Sequence, residues 1–138
     1  MNGQEPALFG KRLSLKTGET NNLYRDITDL YSYYRDNKTT LSESFCALIR
    51  MSLRLIVESA TTKKIDDYVS RHFETAKKRL TADQKTTLST QEVDTAAKLI
   101  KLLHIGAHKY TASANMEQTM AISIIIGIIF AGLAFFPV

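Results

Sequence analysis

Several residue types are scarce in this sequence, and their scarcity excludes some classes of protein. The 138 residues include a single cysteine, Cys46, two prolines and no tryptophan. One cysteine excludes an intrachain disulfide and therefore a disulfide-stabilised secreted scaffold. The N-terminus has no basic segment followed by an apolar run, so we expect no secretory signal and a cytoplasmic setting.

Strand-like alternation of apolar and polar side chains is also missing, and no internal repeat is present. Apolar residues recur instead at helical spacing, as in the series Leu23, Ile27, Leu30, Tyr31 and Tyr34. The length suits a single domain. The sequence therefore predicts an all-α fold, an antiparallel bundle of about five helices at residues 21–138, preceded by a short irregular arm at residues 1–20.

Helix boundaries are indicated by capping patterns. Ser89 and Glu92 have the spacing of a capping box, which predicts the start of the fourth helix. Asn115 and Gln118 form a second pair of this type before the last helix. The polar segment TADQKTTLS, residues 81–89, is predicted to be a connector.

Charge is absent from the last twenty residues, 119–138, whereas the whole chain has a net charge of +4. The positive balance permits a nucleic acid or a membrane surface as partner. A twenty-residue apolar helix spans about 30 Å, the thickness of a bilayer core, so a C-terminal tail anchor is one hypothesis. No basic residue lies close to either end, and Ser123 and two glycines suit helix packing. The pattern therefore favours a core helix or a dimer seam over a membrane span.

The segment ESFCALIRMSLRLIVESA, residues 43–60, is apolar nearly all round, which is typical of a central helix. Its exceptions, Arg50, Arg54 and Glu58, are spaced by four and share one face. A buried charge needs a partner. We therefore predict a buried or half-buried structural ladder of these three residues, with Arg54 and Glu58 as an ion pair.

The segment KLLHIGAHKYTAS, residues 101–113, places His104 and His108 on one helix face. Such a pair can ligate zinc, but Ile105 stands where a zincin has its glutamate, and no further Cys or His pair completes a site. We predict no metal and no cofactor. Two interpretations stay open: a site that faces RNA or another phosphate, and a helix C-terminus at which basic residues favour the dipole.

The motifs RLIVE at residues 54–58 and LLHIGAH at residues 102–108 resemble those of HEPN-type domains, over about residues 41–130. These all-α bundles are common in bacterial toxin, abortive-infection and defence proteins. Active members combine an arginine, a neighbouring polar residue and a histidine a few residues later. Two such domains pair and cleave RNA without metal, with the 2′-OH as nucleophile.

This resemblance implies that His108 is the family's histidine and that His104 and Lys101 complete a catalytic set. Lys101 departs from the family, because a lysine lacks the bidentate fork of arginine. The resemblance therefore implies a non-catalytic interaction or dimerisation domain, homodimeric, in a bacterial defence or nucleic-acid-processing setting, with RNA or DNA as candidate partner. A metal-independent endoribonuclease is the alternative.

A second resemblance is to the C-terminal region of some bacterial proteins with a ParB-like N-terminal domain. It is carried by LFGKRLSLKTGETNNLYRDITDLYSYY at residues 8–34 and by LIRMSLRL at residues 48–55. It implies that a ParB-like or other defence-protein domain is a candidate partner.

Overall fold

The computed structural model describes residues 8–42, 44–108 and 115–134, and only the backbone of residues 106–108 and 133–134. Within these ranges the chain forms one 3-10 turn and six α-helices and contains no strand. The turn is Leu8–Gly10, and the helices are α1 (Glu19–Asn37), α2 (Ser44–Ser59), α3 (Ile65–Lys77), α4 (Ala82–Thr90), α5 (Ala96–His108) and α6 (Met116–Ala134). The predicted all-α bundle is confirmed, with one helix more than the sequence pattern indicates.

Helix α6 forms the centre of the bundle. Every residue from 119 to 130 is buried, and α6 packs against the 3-10 turn, α2, α3 and α4. The uncharged segment that begins at residue 119 therefore lies in the core over residues 119–130. In the described part of the chain, no helix is long and apolar enough to cross a membrane.

The 3-10 turn packs closely on α6. Phe9 is fully buried, and its backbone N–H donates to Ser123 Oγ at 3.0 Å. Gly127 lies directly beneath the Phe9 carbonyl, and a Cβ at this position would overlap that oxygen. The described part of the predicted arm, from Leu8 onward, therefore contributes to the same core as the helices.

Helix α4 occupies the segment that was predicted to be a connector, so that prediction is wrong. Thr81 and Gln84 form a capping box, in which Thr81 Oγ1 accepts from Gln84 N at 3.1 Å and Gln84 Oε1 accepts from Thr81 N at 3.0 Å. Only Leu88 of this helix is buried. A polar nine-residue helix with one anchor gives no apolar periodicity, which is why composition alone indicates a loop.

The capping box predicted at Ser89 and Glu92 is also wrong. Ser89 lies inside α4, and Glu92 has a φ of 61°, in the left-handed region that ends a helix. The N–H groups of Glu92 and Val93 donate to the carbonyls of Ser89 and Leu88, which closes α4 in a Schellman motif. Thr95 begins α5 instead, because its Oγ1 accepts from Lys98 N at 3.2 Å.

The capping pair predicted for the last helix is present in part. Asn115 Oδ1 accepts from the backbone N–H of Gln118 at 2.7 Å, immediately before α6. The Gln118 side chain does not return to Asn115, because its Nε2 donates to the Gln91 carbonyl at 2.9 Å. The start of α6 is therefore capped, and its first turn is tied to the end of α4.

Helix α2 contacts α1, α5 and α6 but is not covered on every side. Its inner face is fully buried through Ile49, Leu53 and Ile56. On its outer face Leu48, Met51 and Leu55 are 56%, 39% and 49% exposed. These three residues, called the apolar row below, are spaced by three and four and so lie along one side of the helix.

Candidate functional site: a charged groove between α2, α3 and α5

Three helices bring polar side chains together at one groove. Arg54 and Glu58 lie on the last two turns of α2, Asp66 lies in the first turn of α3, and His104 lies on α5. Helix α5 packs against both α2 and α3, and this packing places His104 between Arg54 and Asp66. His104 lies 38 positions from Asp66 and 50 from Arg54 in the chain, so only the tertiary fold joins them.

Arg54 joins the two sides of this cluster. Its Nε and Nη2 both donate to Glu58 Oε2 at 3.2 Å, and its Nη1 lies 3.1 Å from His104 Nδ1. The Arg54 side chain is 17% exposed and the Glu58 side chain 44%. The predicted ion pair is therefore formed, but it lies at the rim of the bundle and not inside it.

The contacts of His104 determine which ring nitrogen carries the proton. A guanidinium can only donate, so Nδ1 must accept from Arg54. Nε2 then carries the hydrogen and donates to Asp66 Oδ1 at 2.6 Å. Both ring nitrogens of His104 are therefore occupied by partners from other helices, Nδ1 as acceptor and Nε2 as donor.

The groove itself has a volume of about 480 Å³ and is lined in addition by Lys63, Lys64 and Ile65. Three of its side chains are cationic and two are carboxylates, so these five side chains together carry one net positive charge. Lys63 and Lys64 are exposed at its edge. The chemistry available there is that of an anion-binding site whose arginine is held in place by a carboxylate and an imidazole.

Arg50 belongs to a different environment, so the predicted three-residue ladder divides in two. Arg50 is buried; its Nε donates to Thr119 Oγ1 at 3.1 Å and its Nη2 to the Asn115 carbonyl at 3.4 Å. Burial lowers the pKa of its guanidinium, and Cys46 opposes that shift. The Arg50 side chain points to α6 and not into the groove. Its hydrogen bonds therefore connect α2 to the start of α6.

The other predicted site residues are not brought into this cluster. Lys101 is exposed on α5 and is not among the residues that line the groove. The side chain of His108 lies outside the described residues. Among the side chains that the structure does describe, no three His, Cys, Asp or Glu residues come together in a way that could hold a metal ion.

Sequence reasoning missed Asp66, Lys63 and Lys64. Their only local signal is the segment TTKKIDD, residues 61–67, in which two lysines precede the acidic first turn of α3. That pattern is common at helix starts and does not by itself indicate a site.

No protein-family model, no curated protein and no solved structure matches this chain.

Proposed function

We propose that this chain is a non-catalytic helical interaction domain that forms a homodimer through the apolar row of α2, and that it works in the cytoplasm. The single observation that supports this proposal best is the exposure of Leu48, Met51 and Leu55 on a helix whose other faces pack against three neighbours. A contiguous apolar patch on a soluble protein, once it exceeds a few hundred Å², marks a surface that a partner covers.

The spacing of the three residues of the apolar row suits packing against a second copy of the chain. Side chains at i, i+3 and i+7 form the seam through which two helices pack side by side. A helix paired with its own copy about a two-fold axis presents the same row on both sides, so no second surface is needed. Glu58 continues the row by three positions, which places the charged groove at its end.

The setting in bacterial defence or nucleic-acid processing is supported by the HEPN-type motifs RLIVE and LLHIGAH. The ParB-type segments add a domain of that class as a further candidate partner. RNA and DNA are candidate ligands of the dimer through the net positive charge of the chain.

The endoribonuclease is the second candidate, and one observation favours it. Arg54 Nη1 of α2 lies 3.1 Å from His104 Nδ1, so one of the residues that the resemblance assigns to catalysis has an arginine beside it. An arginine beside a histidine is the pair that metal-free RNA cleavage requires in the family resembled.

The homodimer is tested by sedimentation of the purified chain. We expect the wild type to sediment as a dimer and the double variant Leu48→Glu with Leu55→Glu as a folded monomer, because two charges in the seam would be desolvated on pairing. Thr86→Glu places a charge on exposed α4, away from the row, and should remain dimeric. A monomeric wild type, or a double variant that is still a dimer, would exclude this seam.

A further inference from the structure

The groove between α2, α3 and α5 holds more hydrogen-bond donors than its own acceptors use. Arg54 has five N–H groups, of which three point to Glu58 and His104. Two are left over. Among the residues that the structure describes, no carboxylate lies within ion-pair distance of Lys63 or Lys64.

We propose that this groove binds a phosphate monoester, which is held by Lys63, Lys64 and the two remaining N–H groups of Arg54. The site is lined by one chain, so binding does not require the second copy. It is thus a separate property from the dimerisation proposed above, although Glu58 lies between the groove and the apolar row.

The two carboxylates of the groove are consistent with an anionic ligand because each is already engaged. Glu58 accepts two N–H groups of Arg54, and Asp66 accepts from His104 Nε2. Their effect is to fix the guanidinium plane, since Arg54 is held on one edge by Glu58 and at Nη1 by His104. An arginine held in this way loses less side-chain entropy when it donates to a phosphate.

The charge balance favours a dianion. Three cations against two carboxylates leave the groove one unit positive, and a phosphate monoester carries about −1.5 to −2 at neutral pH. A phosphodiester carries a single negative charge and would gain less from the same cations. The groove therefore discriminates by charge in favour of a terminal phosphate.

The size of the groove and the placement of its cations also favour a terminal phosphate. Its volume of about 480 Å³ lies in the range of sites that hold a small molecule or one nucleotide. Surfaces that follow a nucleic-acid backbone carry a stripe of Lys and Arg along which successive phosphates lie. In this groove the three cations lie together at one place. This arrangement suits a single terminal phosphate and not a chain of successive phosphates.

Binding is tested first with inorganic phosphate as the probe. The full chain, labelled with ¹⁵N, is titrated at constant ionic strength, and we expect saturable shifts of the amide signals of residues 63–66. The double variant Lys63→Gln with Lys64→Gln should weaken phosphate binding by about tenfold, the loss expected when charge-assisted hydrogen bonds are removed. Both lysines are exposed, so the variant should keep the wild-type unfolding midpoint.

A matched control separates a site from a general effect of charge. Lys78→Gln with Lys85→Gln removes the same two charges from exposed positions that do not line the groove. We expect this variant to bind phosphate within about twofold of wild type, because salt and solvent screen exposed charges that do not contact the ligand. Equal loss in both double variants would overturn the proposal, and so would shifts that never saturate.

Two further probe pairs identify the source of the phosphate. AMP should bind and adenosine should not, since only the former has a monoester. An RNA hexamer with a 5′-phosphate is compared with the same hexamer with a 5′-hydroxyl. Tighter binding of the phosphorylated hexamer than of AMP assigns the site to a nucleic-acid end, and equal or weaker binding assigns it to a small phosphate ester. If the 5′-hydroxyl hexamer binds as well as the phosphorylated one, the proposal that the groove binds a phosphate monoester is wrong.

Discussion

Arg50 and Arg54 lie one turn apart on α2 but enter different environments. Arg50 is buried and donates to Thr119 and to the Asn115 carbonyl, whereas Arg54 lies at the groove and pairs with a carboxylate, Glu58, that is 44% exposed. The same residue type in the same helix therefore has a structural role at one position and borders a candidate site at the next.

These environments predict different costs for the same substitution. Arg50→Ala should lower the free energy of unfolding by about 2–4 kcal/mol, because it opens a cavity and removes two hydrogen bonds from the core. Arg54→Ala should cost less, about 1 kcal/mol, because the Glu58 carboxylate that it leaves behind is 44% exposed and stays solvated, and not the several kcal/mol that a fully buried pair would cost. Denaturant unfolding measures both, and equal costs would show that the two guanidinium groups are equally buried.

Gly127 predicts a second difference in stability. A Cβ at this position meets the Phe9 carbonyl, which is backbone, so the 3-10 turn must move away from α6. Gly127→Ala should destabilise the fold by about 1–3 kcal/mol. Gly132→Ala is the control, because its Cβ meets only the flexible end of Arg79. If thermal unfolding gives the two variants the same midpoint, the turn is not closely packed on α6.

His72 predicts a pH dependence of stability. Burial and, to a smaller extent, the neighbouring Arg71 lower the pKa of His72 below its ordinary value of 6.5, so the folded state favours the neutral ring. Its stabilising contribution is therefore present above pH 6.5 and is lost as the pH falls through the lower folded value. Burial raises the pKa of Tyr68, the aromatic partner of His72, to about 12, so Tyr68 stays neutral throughout.

The measurement is the free energy of unfolding between about pH 8 and pH 5.5, a range in which Asp and Glu stay largely ionised. Wild type should lose stability across this range, and His72→Gln should lose less. Other histidines contribute equally to both proteins, so the difference reports His72 alone. Parallel curves for the two proteins would contradict this assignment.

The sequence predicts most of the fold because the buried faces repeat at helical spacing. Ile49, Leu53 and Ile56 on α2 show this pattern and are fully buried. Helix α4 was missed because only Leu88 anchors it, although its Thr81–Gln84 capping box is visible in the sequence. The burial of Phe9 could not be predicted, because it depends on Gly127 and Ser123, more than one hundred residues away.

The candidate site was predictable only where its contacts are local. Arg54 and Glu58 are four apart, and their pairing follows from helix geometry. His104 was identified as one of two histidines on a helix face, but its partners were not, because Asp66 and Arg54 lie 38 and 50 positions away. Contacts of this kind depend on how α5 packs between α2 and α3, and no local pattern contains that information.

The last prediction concerns catalysis. We expect the purified chain not to cut single-stranded RNA in EDTA, because Lys101 stands where active members of the family resembled have an arginine. In addition, both ring nitrogens of His104 are engaged, Nδ1 by Arg54 and Nε2 by Asp66. To take a proton from a 2′-OH, the ring would have to give up one of these partners. His104→Ala and His108→Ala are compared with His72→Ala, which removes a histidine outside the groove. EDTA-resistant cutting that both His104→Ala and His108→Ala abolish, while His72→Ala retains it, would favour the endoribonuclease over the non-catalytic domain, because a contaminating nuclease would not follow these substitutions.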